Sequence, residues 1–193
     1  RWAGVPLVDR RAERRELLVD AAYRIFGEGG EQALAVRSVC RESGLNSRYF
    51  YESFADVDAL LAAVYDRVSA ELASAVDAAM TSADPSLSAR TRAGIAAVLE
   101  FSSSDPRRGR VLFTDARANP VLAARRAATQ DLLREAVLSE GWRLHPGSDP
   151  VGAQVAAALY TGAMAELAQQ WLAGRLGDDL DAVVDHALAL VLR

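Results

Sequence analysis

The stretch SGLNSRYFYESF, residues 43–54, gathers four aromatic side chains around one arginine in a 193-residue chain whose formal net charge is −4. The residue types could read a nucleic acid. An arginine pairs with guanine or phosphate, and a tyrosine meets a thymine methyl through its ring or a phosphate through its hydroxyl. Wound as a helix, the segment places Phe50 and Phe54 on one face, four residues apart, with Leu45 covering the same side from the preceding turn. Arg48 and Glu52 point the opposite way, Tyr49 and Tyr51 flank them, and Ser47 lies near the start. Asn46 is suited to cap the helix. Ser53 and, upstream, Arg37 complete the candidate DNA-binding set.

Other chemistry finds little support. Histidine occurs twice, His145 in a proline-rich loop and His186 in the last helical stretch, with no nucleophile placed beside either. Cys40 is the single cysteine and takes an apolar helix position, so neither a disulfide nor a metal-ligand pair is expected. GEGGEQ, residues 27–32, follows a helix rather than a strand and reads as a turn, not a phosphate loop. The acids Asp178, Asp179, Asp181 and Asp185 lack a calcium-loop pattern, and capping of the final helix accounts for their start. No enzyme activity, cofactor or metal is expected.

The elements that must hold residues 43–54 are helical throughout. Leu17, Leu18, Ala21, Ala22, Ile25 and Phe26 recur at three- and four-residue intervals, the buried stripe of a first helix that stops at the glycines of 27–32. Val36, Val39 and Cys40 give a short helix over 36–43 an apolar face. Gly44 sits where the chain turns sharply into the aromatic segment. A long helix follows from Asp56 to Met80, then helices over 88–103, 106–117 and 120–140. GWRLHPGSDP is expected as a loop that carries Trp142. Helices over 150–173 and from Asp178 onward complete an all-α fold of about nine helices, without internal repeat. No apolar run approaches the ~18 residues of a membrane span, and the expected compartment is the cytoplasm.

Charge is unevenly placed. Residues 1–54 carry nine arginines against eight acids, while the rest carry thirteen against eighteen. A slightly basic end on an acidic body suits a small head that meets a polyanion. Arg10, Arg11, Arg14 and Arg15 in DRRAERRE could contact phosphates, or could pair with Asp9, Glu13 and Glu16 on a solvated face. Arg37 and Arg41 pose the same choice.

Short helix, glycine turn and second helix is a helix-turn-helix pattern, whose second helix enters the major groove. Spacing alone fits an ordinary helical hairpin equally well. Residues 15–61, however, resemble the N-terminal domain of the tetracycline-repressor (TetR) family in the order and spacing of RELLVDAAYRIF, VRSVCRESGLN, RYFYESF and ADVDALL. The glycine-plus-aliphatic turn is Gly44-Leu45, and the tyrosine-x-x-phenylalanine signature is Tyr51 to Phe54. Three positions depart from the family pattern. Ala35 stands where a threonine often caps the second helix, Val57 where a lysine often meets phosphate, and Arg48 and Tyr49 where small residues are usual. These last two are therefore expected to set this chain's own base preference.

The resemblance implies a DNA-binding domain over residues 1–55, with 1–8 as a flexible arm, and an effector-binding and dimerisation domain over 56–193. It further implies a one-component regulator, a repressor released by a small apolar effector, bound as a homodimer to a near-palindromic double-stranded operator. Ala158, Gly162 and Ala165 lie close to one helical face, with Leu172 extending it, and permit another helix to approach. With Leu188 they form the candidate dimer interface, although burial within a monomer would use the same residues. Leu99, Phe101, Leu112, Phe113, Tyr160 and Met164 are the candidate effector pocket; such a stripe also serves as plain core. The competing reading is an all-α small-molecule carrier or enzyme whose N-terminal helices are structural.

Overall fold

The computed structural model describes residues 7–115, 119–144, 147 and 149–192, which form nine α-helices and no strand. In chain order these are α1 (Leu7–Gly29), α2 (Val36–Ser43), α3 (Ser47–Ser53), α4 (Val57–Ser82), α5 (Leu87–Ser104), α6 (Pro106–Gly109), α7 (Pro120–Leu144), α8 (Pro150–Leu172) and α9 (Leu180–Val191). A 3-10 turn, Glu31–Ala33, links α1 to α2, and α6 runs directly into a π segment, Arg110–Thr114. The starts of the helices are written into the sequence as side-chain caps. Asn46, Asp56, Ser86, Asp105, Asn119, Asp149 and Asp179 each accept a hydrogen bond from a backbone N–H in the first turn that follows.

Four sequence expectations are corrected at their edges. Helix α1 begins at Leu7, inside the segment expected as an arm, and continues through the first glycines to Gly29. Leu17 is exposed rather than part of the buried stripe, and Val19 is buried in its place. The cause is that α1 packs on two sides, against α2 and α3 and also against α4 and α6, so a single 3.6-residue stripe does not describe it. The helix expected over 106–117 is a short α-turn and a π segment, packed so that a Cβ on Gly109 would lie 2.8 Å from both Leu172 methyls. Finally, α7 extends to Leu144, so Trp142 is a helical residue and half exposed. His145 lies outside the described residues.

The first three helices and the start of α4 enclose a small apolar core of Leu18, Ala22, Phe26, Val39, Phe50 and Leu60, all without exposed surface. The turn that aims α3 is built around Gly44. Its φ of 69° is left-handed, and Leu45 N–H closes back on the Cys40 carbonyl at 3.1 Å. Cys40 is half-buried beneath this turn, and burial pushes its thiol pKa up. Ala35 offers no side-chain acceptor to α2. The Ser38 hydroxyl instead accepts from the Ala35 N–H at 3.0 Å, so one half of a capping box survives.

Helix α4 leaves this head and becomes the spine of the body. Its buried residues Leu61, Val64, Tyr65 and Val68 meet α5, α7 and the π segment. Helix α9 lies on α5, where Arg92 donates to both Asp181 and Asp185 at 2.8 Å, which uses two of the four clustered acids. A second joint ties head to body. The Tyr23 hydroxyl on α1 donates to Asp105 Oδ2 at 2.8 Å, and the Arg107 guanidinium grips the same carboxylate at 3.0 Å. Arg107 also stands 5.1 Å over the Tyr23 ring, and Arg110 donates to the Gly27 and Glu28 carbonyls at the end of α1. Arg67 of α4 pairs with Asp20 of α1.

Arg107 holds the Asp105 carboxyl down to about 2, with the Tyr23 hydroxyl adding to the effect; burial and this carboxylate push the Tyr23 phenol up to about 12. A depressed carboxyl stabilises the fold above its unfolded pKa near 3.8 and loses that contribution as pH falls through about 2. Asp105→Asn is therefore expected to flatten the fall in stability between pH 4 and pH 2, measured by urea unfolding at each pH. Gly44→Ala meets no atom within 4 Å, so its cost is the left-handed backbone alone, about 1–2 kcal/mol, read as a lower thermal midpoint.

Candidate nucleic-acid interface

Helix α3 is a seven-residue element with two unlike faces. Phe50 is fully buried, Phe54 is nearly so, and their rings stand 6.1 Å apart. On the outer face Ser47 and Arg48 are exposed, the Arg48 side chain at 84% and Tyr51 at 61%. The chain exposes a large aromatic and an arginine side by side, at a cost in solvation that a ligand would offset. Asn46 caps α3 by accepting from Tyr49 N–H at 3.2 Å. Tyr49 is half-buried, with the Arg14 guanidinium 4.3 Å over its ring. Ser53 is half-buried at the end of the helix, and Arg37 is exposed on α2.

Glu52 organises the basic side chains around α3, a role that sequence reasoning missed. Its carboxylate accepts from Arg48 Nε at 3.1 Å and lies 3.7 Å from Arg14, while its backbone carbonyl accepts from Arg11. Arg15 sits 4.9 Å over the Phe54 ring. Three of the four arginines in DRRAERRE thus fasten α3 to α1, and a phosphate arriving at this surface would compete with Glu52 for them. The i,i+4 spacing of Arg48 and Glu52 was the available signal. The tie to α1 was not, because it joins residues about forty apart in the chain.

A model of the "Bacterial regulatory proteins, tetR family" matches residues 18–64, which span the second half of α1, the turn, α3 and the first turns of α4. Residues 18–64 are similar to the head of that family. Solved structures with the same fold cover nearly all of it. FadR, the fatty acid degradation regulator of Bacillus halodurans, is 18% identical with a TM-score of 0.73, over 93% of this chain and 94% of that one. A TetR-like transcriptional regulator from Rhodococcus sp. RHA1 is 20% identical with a TM-score of 0.68, over 98% and 97%. FadR from Bacillus subtilis, solved in complex with stearoyl-CoA, is 16% identical with a TM-score of 0.73, over 91% and 96%. No curated protein matches the chain. Helix α2, the Gly44 turn and α3 lie inside the matched segment and have helix-turn-helix geometry.

The remaining candidates fall in the body of the regulator. Leu99, Leu112, Phe113 and Met164 come together in one buried core. Phe101 packs against that core with the Arg108 guanidinium 4.1 Å over its ring, and Tyr160 packs beside it with its phenol pKa raised by burial. Ala158 and Gly162 are exposed on α8 and line an open cleft of about 560 Å³ between α7 and α8, whose other walls include Gln130, Arg134, Leu138 and Gln154. Ala165 is half-buried, Leu188 packs partly on the core, and Leu172 turns inward against Gly109. His186 is exposed on α9, with Nδ1 2.7 Å from the Ala182 carbonyl. Among the described residues no helix is long and apolar enough to cross a membrane.

Glu52→Gln removes the carboxylate that Arg48 and Arg14 share. Affinity for duplex DNA of any sequence is expected to rise several-fold at low salt, and the salt dependence to steepen by about one unit of slope. Fluorescence anisotropy on a random duplex at four salt concentrations measures both.

Proposed function

We propose that this TetR-family regulator is a repressor that grips a near-palindromic operator as a two-fold dimer and lets go when a small effector binds the body. The observation that carries the reading is the outer face of α3, where Arg48 and Tyr51 stand exposed on a helix whose other face is locked into the core. In this reading residues 1–55 are the DNA-binding head and 56–193 the effector and dimer domain. Arg48 reads a base, Tyr49 shapes the same contact from beneath Arg14, and Tyr51, Ser47, Ser53, Asn46 and Arg37 meet the backbone. The protein has no catalytic role and acts where its DNA is, in the cytoplasm.

The dimer has support of its own. Val151, Val155 and Leu159 succeed one another at four-residue spacing along α8 and are 66%, 53% and 68% exposed. Ala158 and Gly162 lie on the same face, and nothing stands within 4 Å of a Cβ placed on Gly162. An apolar stripe with small residues at its centre suits the close approach of an identical helix. On α9, Leu190 is 71% exposed and would extend the seam. A two-fold dimer sets the two α3 helices about 34 Å apart, one turn of DNA, and demands a symmetric operator.

Release follows from a shift between two conformations, in which the effector favours the one whose heads no longer match the groove. Helix α4 and the Tyr23–Asp105–Arg107 joint are the connections along which that change would reach α1. The FadR of Bacillus subtilis holds stearoyl-CoA, and an effector with an apolar portion is the reading adopted for this chain.

Selection from random duplex DNA is expected to enrich a palindrome with half-sites about ten base pairs apart. Arg48→Ala should broaden base preference at one symmetric pair of positions, whereas Tyr51→Phe should weaken all sequences alike. Leu159→Glu should yield a folded monomer in sedimentation that no longer selects a palindrome. No enrichment by the native chain at low salt would turn the reading toward an all-α carrier.

A further inference from the structure

Four residues separate Arg48 from Glu52, so the two side chains meet on the outer face of α3, one turn apart. A guanidinium carries five N–H donors in a planar fork and no acceptor. Glu52 Oε1 accepts from Arg48 Nε at 3.1 Å, which occupies the donor nearest the stem. Among the described residues the two Nη groups of Arg48 meet no acceptor, and the side chain is 84% exposed. The outer end of the fork is therefore open to a partner from solvent.

Glu52 is itself held from behind. Its other carboxylate oxygen lies 3.7 Å from Arg14, whose side chain is mostly buried and whose guanidinium covers the Tyr49 ring at 4.3 Å. Its backbone carbonyl accepts from Arg11. An arginine fastened at Nε to such a support has the plane of its fork restricted before DNA arrives, so less side-chain freedom is lost on binding. The same carboxylate repels a phosphate, which gains less from Arg48 than from an unpaired arginine. What the pair offers instead is direction, in the form of adjacent donors with no acceptor between them. In the major groove only guanine presents two neighbouring acceptors, N7 and O6. Adenine sets an acceptor beside a donor, cytosine presents a donor, and thymine presents one acceptor beside a methyl group. Arg48 is the second residue of α3, and the first residues of a recognition helix are those that reach base edges.

We propose that Arg48 reads a guanine through its two Nη groups, and that Glu52 is the positioning residue that turns them toward it. This rests on the DNA-binding reading above and names the base for it. The operator then carries guanine at one symmetric pair of positions, and the preference there depends on a carboxylate that touches no base.

The test uses the full chain. The palindrome selected by the native protein is compared with duplexes in which each symmetric pair of positions is changed in turn, and fluorescence anisotropy gives the affinity ratios for the native chain, Arg48→Lys, Glu52→Gln and Glu52→Ala. Arg48→Lys replaces an exposed side chain and keeps its charge but not its fork; it is expected to lower the guanine preference at one symmetric pair of positions about ten-fold or more. At that same pair Glu52→Ala should lower the ratio as well, and further than Glu52→Gln, whose amide oxygen can still accept from Nε. If Glu52 acted only by repelling phosphates, both of its variants would bind every duplex more tightly and leave the ratio where it was. Circular dichroism and the thermal midpoint of each variant separate a loosened head from a turned arginine. A base other than guanine at the pair of positions that responds to Arg48→Lys, or an unchanged ratio in folded Glu52→Ala, would overturn the assignment and leave the regulator standing. No palindrome selected by the native chain would overturn both.

Discussion

A helix of seven residues does not fold by itself in water, since nucleation consumes most of what its few hydrogen bonds return. Everything α3 does therefore depends on burying Phe50 and Phe54 in the core that α1 and α2 supply. That burial sets the rotation of the helix, and the rotation decides that Arg48 and Tyr51 face outward. A second constraint acts at its start, where left-handed Gly44 and the Asn46 cap fix the direction of entry. The basic residues of α1 add a third, through Glu52 and through the Tyr49 and Phe54 rings. The recognition surface is thus rigid because its inner half is core.

The same helix α1 that underlies α3 also reaches the body. Tyr23, Asp20 and the carbonyls at its end meet Asp105, Arg67, Arg107 and Arg110, so charged and polar contacts rim the apolar core that head and body share. The π segment after α6 carries the core residues Leu112 and Phe113 and lies beside this joint. A local change in the body would meet α1 within one layer of side chains.

The head and the body follow different physical rules. The head is small, and nearly every apolar residue in it is needed for closure, so its pattern of Leu18, Phe26, Val39, Phe50 and Leu60 leaves few alternatives. The body has surplus apolar surface, with exposed valine and leucine along α8 and α9. A monomer gains nothing from that exposure, and a second copy of the chain would remove it from water.

Helical periodicity, the caps and the glycine turn were legible in the sequence because each is a local property. Asn46, Asp56 and Asp179 cap the helices that their types announce, and the all-α class follows from spacing alone. Most of the buried face of α1 was legible in Leu18, Ala21, Ala22 and Phe26, but its edge was not, because two separate partners pack on it and expose Leu17 while burying Val19. The role of Glu52 depended on α1 arriving from forty residues away. The pairing of Asp66 with Arg125 arises only when α4 and α7 come together, since charge compensation is a property of the packed molecule and not of the chain.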